Sequence, residues 1–183
     1  MHNSVKTILA TTAIFFGSHL VAGSAIADSG CSFDEEQAGF MATCSEEKKE
    51  VIITGLVDIS ALEKDLPGYA AEYEQYQIDA AALTELKAVT TPTNIVVIIG
   101  TWCPDCHRET PRFMRLIEEA ANPNITVTYI GIDRSKVDPE GLAAAYEFTR
   151  IPTFIIEQQD EEIGRIVERP TVSLEQDLLN ILK

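Results

Sequence analysis

The sequence predicts an α/β domain in which a parallel strand-helix-strand unit is followed by an antiparallel hairpin, and three observations carry that expectation. Ile95-Val96-Val97-Ile98-Ile99 is an uninterrupted β-branched run without polar alternation, the pattern of a central strand buried on both faces by flanking helices. A helical pattern from about Cys103 to Ala121 separates it from a second apolar strand, Ile125 to Ile132, and that order closes into a parallel βαβ unit. Thr153 to Glu157 and Glu162 to Val167 then read as two strands joined by the polar turn Gln158-Gln159-Asp160-Glu161, so they are expected to pair as a hairpin.

The chain opens with Lys6 and an apolar stretch from Ile8 to about Ile26 that closes on Ala25-Ile26-Ala27, the layout of a secretory signal peptide cleaved after Ala27. A transmembrane anchor is the competing reading, but Gly17, Ser18, His19, Gly23 and Ser24 interrupt the run. Acylation of Cys31 would call for a Leu and small residues before it, where Asp28-Ser29-Gly30 stands. The expected location is therefore periplasmic or secreted. Removing residues 1–27 from the 183-residue chain leaves 156, enough for one domain with a genuine core, expected to be a monomer. The net charge of −15 becomes −16 when Lys6 leaves, which excludes nucleic acid as a partner and otherwise serves solubility.

Residues 28–50 are polar and irregular, and their charge run Ser45-Glu46-Glu47-Lys48-Lys49-Glu50 reads as solvated surface. Val51 to Val57 reads as a strand. Leu62 to Tyr76 reads as helical turns interrupted at Pro67-Gly68, with Tyr69, Tyr73 and Tyr76 on one face as packing residues. Asp79 is placed to cap a helix from Ala80 to about Ala88, which ends before Thr90-Thr91-Pro92-Thr93-Asn94. In the 103–121 helix, Phe113, Leu116, Ile117 and Ala120 form the apolar stripe, Pro111 is expected to kink it, and Asn122-Pro123-Asn124 stops it. Asp138-Pro139-Glu140 reads as the start of a helix through Phe148. Ser173-x-x-Gln176 resembles a capping box for a last helix with Leu174, Leu178, Ile181 and Leu182 inward.

Four cysteines fall into two unlike pairs. Cys31 and Cys44, in the polar segment, suit a structural disulfide of an exported protein, with a second redox relay as the alternative. Cys103-Pro104-Asp105-Cys106 places two thiols one turn apart at a helix start, within disulfide reach. Unpaired N–H groups and the helix dipole there favour the Cys103 thiolate, the expected nucleophile, while the deeper Cys106 would resolve the mixed disulfide. No four-ligand metal cluster is present in the pattern, and no cofactor is expected.

Trp102-Cys103-Pro104-Asp105-Cys106 after an apolar strand, Pro111 five residues on, and Ile151-Pro152-Thr153 before a hairpin strand together resemble the thioredoxin superfamily. The resemblance covers roughly residues 79–183, leaving 28–78 as an N-terminal extension. It implies a thioredoxin-like fold, a central mixed β-sheet flanked by helices, with a cis Ile151-Pro152 bond lying against the cysteine pair. It also implies thiol-disulfide exchange with protein thiols and disulfides, and a membrane thiol-transfer protein as electron donor. The chain departs from the family's reductases at two positions: Val97 stands where a buried acid is usual, and Tyr129 where a companion lysine is. Proton transfer for Cys106 must then come from water or another side chain, with Asp105, Glu109 and His107 nearest in sequence.

Each neighbour has two readings. His107 either lowers thiol pKa values or is a solvent-facing helical histidine. Asp105 opposes the Cys103 thiolate, which makes the disulfide a weaker oxidant and favours a reductant. Trp102 shields the pair or simply packs. Arg108, Arg112 and Arg115 are expected to pair with Glu109, Glu118 and Glu119. Two further functional classes stay open: an oxidase or isomerase using the same cysteines, and a copper chaperone holding Cu(I) on two thiolates. Against copper, His107 directly follows Cys106 and is the one histidine left after cleavage. A non-catalytic binding domain is the third alternative.

Overall fold

The computed structural model describes residues 51–183 except 60, 61 and 63–65, and both the signal segment and the Cys31/Cys44 pair lie outside the described residues. In chain order the elements are β1 (Gly55–Leu56), α1 (Pro67–Gln75), α2 (Ala80–Lys87), β2 (Thr93–Ile99), α3 (Pro104–Ala120), β3 (Ile125–Gly131), a 3-10 turn (Ala143–Tyr146), β4 (Thr153–Gln158), β5 (Glu161–Val167) and α4 (Leu174–Leu182). The five strands form one mixed sheet in the order β1-β3-β2-β4-β5.

The β-branched run lies at the centre of this sheet because it can be buried on both faces: Ile95 to Ile99 are all buried. β2 pairs in parallel with β3, Val97 opposite Tyr129, and antiparallel with β4, Val97 opposite Phe154. β4 and β5 form the expected antiparallel hairpin, turned by Gln159 and Asp160 in the left-handed region. Phe113 of α3 meets Phe154 of β4, ring centroids 4.7 Å apart, in the interior beside α3. Leu174, Leu178 and Leu179 of α4 are buried, and the Ser173 hydroxyl accepts from the Gln176 N–H as the capping pattern predicts.

Several boundaries differ from expectation. The first strand is two residues long, since Gly55 and Leu56 alone pair with β3. Pro67 opens α1 at its first turn, where the missing N–H costs nothing, instead of interrupting a helix. The helix expected after Asp138 is replaced by a short 3-10 turn. Asp138 does cap, accepting from the N–H groups of Leu142 and Ala143, but Gly141 at φ +71° and Glu147 at φ +44° turn the chain out of the helical region on either side. The sheet and core also draw on residues before Asp79: β1 pairs with β3, and Leu62, Leu66 and Tyr69 are buried. Among the described residues, no helix is long and apolar enough to cross a membrane.

Candidate active site

The carboxyl end of β2 delivers the chain to the site through Gly100 and Thr101. A Cβ at Gly100 would stand 2.8 Å from both the Ile151 and Trp102 side chains, so only glycine lets these two close over the strand end. Thr101 is buried, its hydroxyl donating to the Val51 carbonyl at 2.5 Å and accepting from the Ile53 N–H at 3.3 Å, which ties the segment before β1 to the site. Trp102 donates from Nε1 to the Ile132 carbonyl at 3.2 Å, and the Arg134 guanidinium stacks over its ring at 5.2 Å. Trp102 thus bridges the ends of β2 and β3.

Cys103 is the N-cap of α3 and Pro104 its first residue, a position that suits proline because no N–H is needed there. The Cys103 sulfur accepts from the Cys106 N–H at 3.4 Å and stands 3.4 Å from the Ile151 carbonyl. The Ile151–Pro152 peptide bond is cis. Hydrogen bonding from the Cys106 thiol, aided by the backbone N–H groups of Asp105 and Cys106, outweighs burial and the Asp105 charge and holds the Cys103 thiol down at about 6. Cys106 is fully buried, and burial pushes its thiol far above the ordinary range, although the Gly100 N–H reaches its sulfur at 3.4 Å. Both cysteines are free thiols. The site therefore holds one ionisable thiol at a helix start, nearly buried, and one fully buried protonated thiol beneath it.

The surroundings change several sequence-based expectations. Asp105 is not an isolated charge: Arg169, from the loop after β5, binds its carboxylate through Nε at 2.9 Å and Nη2 at 2.8 Å, and Arg108 lies 3.6 Å away. His107 is half-buried. Its Nε2–H donates to the Thr101 carbonyl, and the Tyr69 ring packs edge-on against it at 5.4 Å. Glu109 is buried with its carboxylate on Arg108, and Arg115 pairs with Glu119 as expected, whereas Arg112, with no acid three or four residues on, reaches across to Glu72 on α1 at 2.8 Å. Val97 and Tyr129 are both buried, so β2 offers Cys106 no carboxylate. Sequence reasoning missed Arg169 and Thr101 and took Tyr69 for packing alone. No local pattern links Arg169 to a cysteine more than sixty residues earlier. Among the described residues, no cluster of three or more His, Cys, Asp or Glu side chains could hold a metal ion.

A mixed sheet of this order, with a dithiol at the start of the helix after its central strand and a cis-proline loop against the sulfur, defines a thioredoxin-fold dithiol protein. The family model described as Thioredoxin matches residues 59–178, and the chain belongs to that family. It is 29% identical over 85 residues to a thioredoxin-like protein of Acanthamoeba polyphaga mimivirus, covering 46% of this chain and 59% of that protein. It is 28% identical over 101 residues to the mitochondrial thioredoxin-3 of Saccharomyces cerevisiae, covering 54% of this chain and 75% of the yeast protein. Solved structures similar to it include the oxidized form of that yeast thioredoxin, at 23% identity, 60% and 98% coverage and a TM-score of 0.39. Another is a Pseudomonas aeruginosa protein of unknown function, at 19% identity, 68% and 84% coverage and a TM-score of 0.48.

Proposed function

We propose that the protein is an exported thiol-disulfide oxidoreductase that reduces disulfides of other exported proteins. The observation that carries the reading is the contrast within the dithiol: Cys103 at the N-cap, half-ionised near pH 6 and 6% exposed, Cys106 fully buried and protonated. In the forward direction the Cys103 thiolate attacks a substrate disulfide, forming a mixed disulfide and releasing one substrate thiol. Cys106 then attacks the Cys103 sulfur, the second substrate thiol leaves, and the enzyme disulfide is restored to dithiol by a donor, for which a membrane thiol-transfer protein is the expected class. Export follows from the leader over residues 1–27, with periplasmic or secreted placement. The test is dithiothreitol-driven reduction of insulin disulfides, expected for the wild type and lost in Cys103→Ala; no turnover with any disulfide protein would favour a binding domain instead.

An oxidase or isomerase is the second reading, and two observations favour it: the Cys103 thiol is held down at about 6, which stabilises the dithiol form, and the Asp105 charge is paired. Arg169 offsets the Asp105 charge that would otherwise disfavour the thiolate. A reductant is expected at roughly −200 to −270 mV, between the strongly oxidising bacterial enzyme near −120 mV and thioredoxin near −270 mV. Equilibration against a glutathione buffer decides between the two.

A further inference from the structure

Tyr69 Oη and Thr110 Oγ1 are buried side-chain atoms without a hydrogen-bond partner among the described residues, and both stand beside Cys106. Thr110 follows Cys106 by four residues on α3, which puts the two side chains on one helix face a turn apart, and neither is exposed. Tyr69 comes from α1 and is 1% exposed; it lies close enough to Cys106 that their ionised forms would repel, and its hydroxyl neighbours that of Thr110. A third polar group joins them. Pro111 has no N–H, so the His107 carbonyl lacks its donor four residues along the helix. Unpaired polar groups are costly to bury, and two buried hydroxyls beside a thiol, with an undonated helix carbonyl in the adjoining turn, mark a polar station.

Cys106 needs such a station, because it must ionise to attack and its surroundings oppose that. The groups that face it from the start of its own helix are Cys103, neutral once bonded to substrate, and Asp105, whose negative charge works against a Cys106 thiolate. From α1 it meets Tyr69, against which Tyr129 of β3 packs, and from β2 only the Gly100 N–H and apolar side chains. Glu109 is occupied by Arg108, and His107 spends its Nε2–H on Thr101. Apart from Cys103 and the Gly100 N–H, none of these groups is hydrogen-bonded to the Cys106 sulfur. Tyr69 does not take the proton, since burial raises its own pKa.

We propose that Tyr69 and Thr110 are positioning residues that hold one water molecule against Cys106, and that this water takes the Cys106 proton when the mixed disulfide is resolved. The inference rests on the thiol-disulfide exchange reading above. The step balances as follows: Cys106 loses its proton to the water, its sulfur bonds the Cys103 sulfur, the bond from Cys103 to the substrate sulfur breaks, and the departing thiolate takes up a proton. No outside oxidant or reductant enters. An exit lies behind Tyr69, where a groove between α1 and α3 is lined by Tyr69, Ala70, Tyr73, Pro111, Met114 and Glu118. A water bonded to two hydroxyls and a carbonyl has the two to four partners typical of internal waters.

Stopped-flow reaction of the reduced full chain with dithiobis(nitrobenzoate) separates the steps. A bimolecular phase reports Cys103 attack and the first equivalent of nitrothiobenzoate, and a unimolecular phase reports Cys106 resolving the adduct and the second. Tyr69→Phe and Thr110→Val are expected to slow the second phase about tenfold, the size of one lost hydrogen bond in the transition state, and to move its pH midpoint upward, with the first phase at the wild-type rate. Thr110→Ser, which keeps the hydroxyl, is expected to restore the second phase. Tyr69→Phe keeps the ring and its packing and loses a single bond to water, so it is expected to stay folded and to melt close to wild type. A second phase and pH midpoint unchanged in both variants, or both phases slowed alike, overturns the relay. A wild type that releases a single equivalent overturns the exchange reading itself, and the relay with it.

Discussion

Cys103 and Cys106 are three residues apart, yet their thiols are driven in opposite directions by hydrogen bonding on one side and burial on the other. Cys103→Ser is therefore expected to abolish disulfide reduction, while Cys106→Ser leaves a protein that accumulates mixed disulfides, read by non-reducing electrophoresis; the reverse pattern would exchange the roles. The pH dependence follows from the sign of the Cys103 shift. A thiol held down at about 6 is about nine-tenths thiolate at pH 7, so alkylation by iodoacetamide should stay fast through pH 7 to 8 and fall as pH drops through about 6. A midpoint near 9 would show that the N-cap contacts do not act. Asp105 raises this value and Arg169 offsets it, so Arg169→Ala is expected to raise the Cys103 pKa and lower the reduction potential, and Asp105→His to move the potential upward. The dithiol was legible because its chemistry lies in four consecutive residues. Arg169 was not, because its approach to Asp105 depends on how the loop after β5 folds back.

Among the elements, those with strong periodicity and local caps matched their sequence signals: β2, α3 from its N-cap cysteine, the β4–β5 hairpin and α4. The segment after Asp138 did not, because an N-cap signal shows where a helix can begin and says nothing of how far it runs; Gly141 and Glu147 at positive φ limit it to a turn. Burial was least legible for acids. Glu175, in the first turn of α4, is 2% exposed and its carboxylate accepts from the Tyr76 hydroxyl at 2.6 Å and the Asp79 N–H at 3.0 Å. It pins α4 to the join between α1 and α2. Glu175→Ala is expected to cost about 1–3 kcal/mol by leaving both donors unpaired, read as a lower urea midpoint at unchanged slope. A midpoint within experimental error of wild type would mean that the join is held by packing alone.

At the scale of the whole molecule, the acidic chain, its leader and its cysteine content form one expectation about where it works. Mass spectrometry of protein recovered from an expressing cell's envelope should show a chain beginning at Asp28 with Cys31 and Cys44 joined; an intact leader, or both thiols alkylatable without reduction, would count against it. The two-residue strand β1 has a consequence of a different kind. β3 reads Ile-Thr-Val-Thr-Tyr-Ile-Gly, without a charge or a proline, and β1 covers its outer side at Gly131 and Ile130, with Val57 donating to the Tyr129 carbonyl at 3.0 Å. The fit admits no side chain: a Cβ on Gly131 would lie 2.4 Å from the Ile53 carbonyl oxygen. Over the last residues of β3, Tyr129 to Gly131, residues 51–57 therefore occupy an edge that would otherwise lengthen an uncharged, β-branched template for pairing with another copy. A chain begun at residue 59, where the family match starts, would keep both active-site cysteines and lose that cover. It is expected to scatter light and bind thioflavin increasingly with concentration while the longer chain stays clear, so that what looks like a dispensable leader to the domain is what keeps its copies apart.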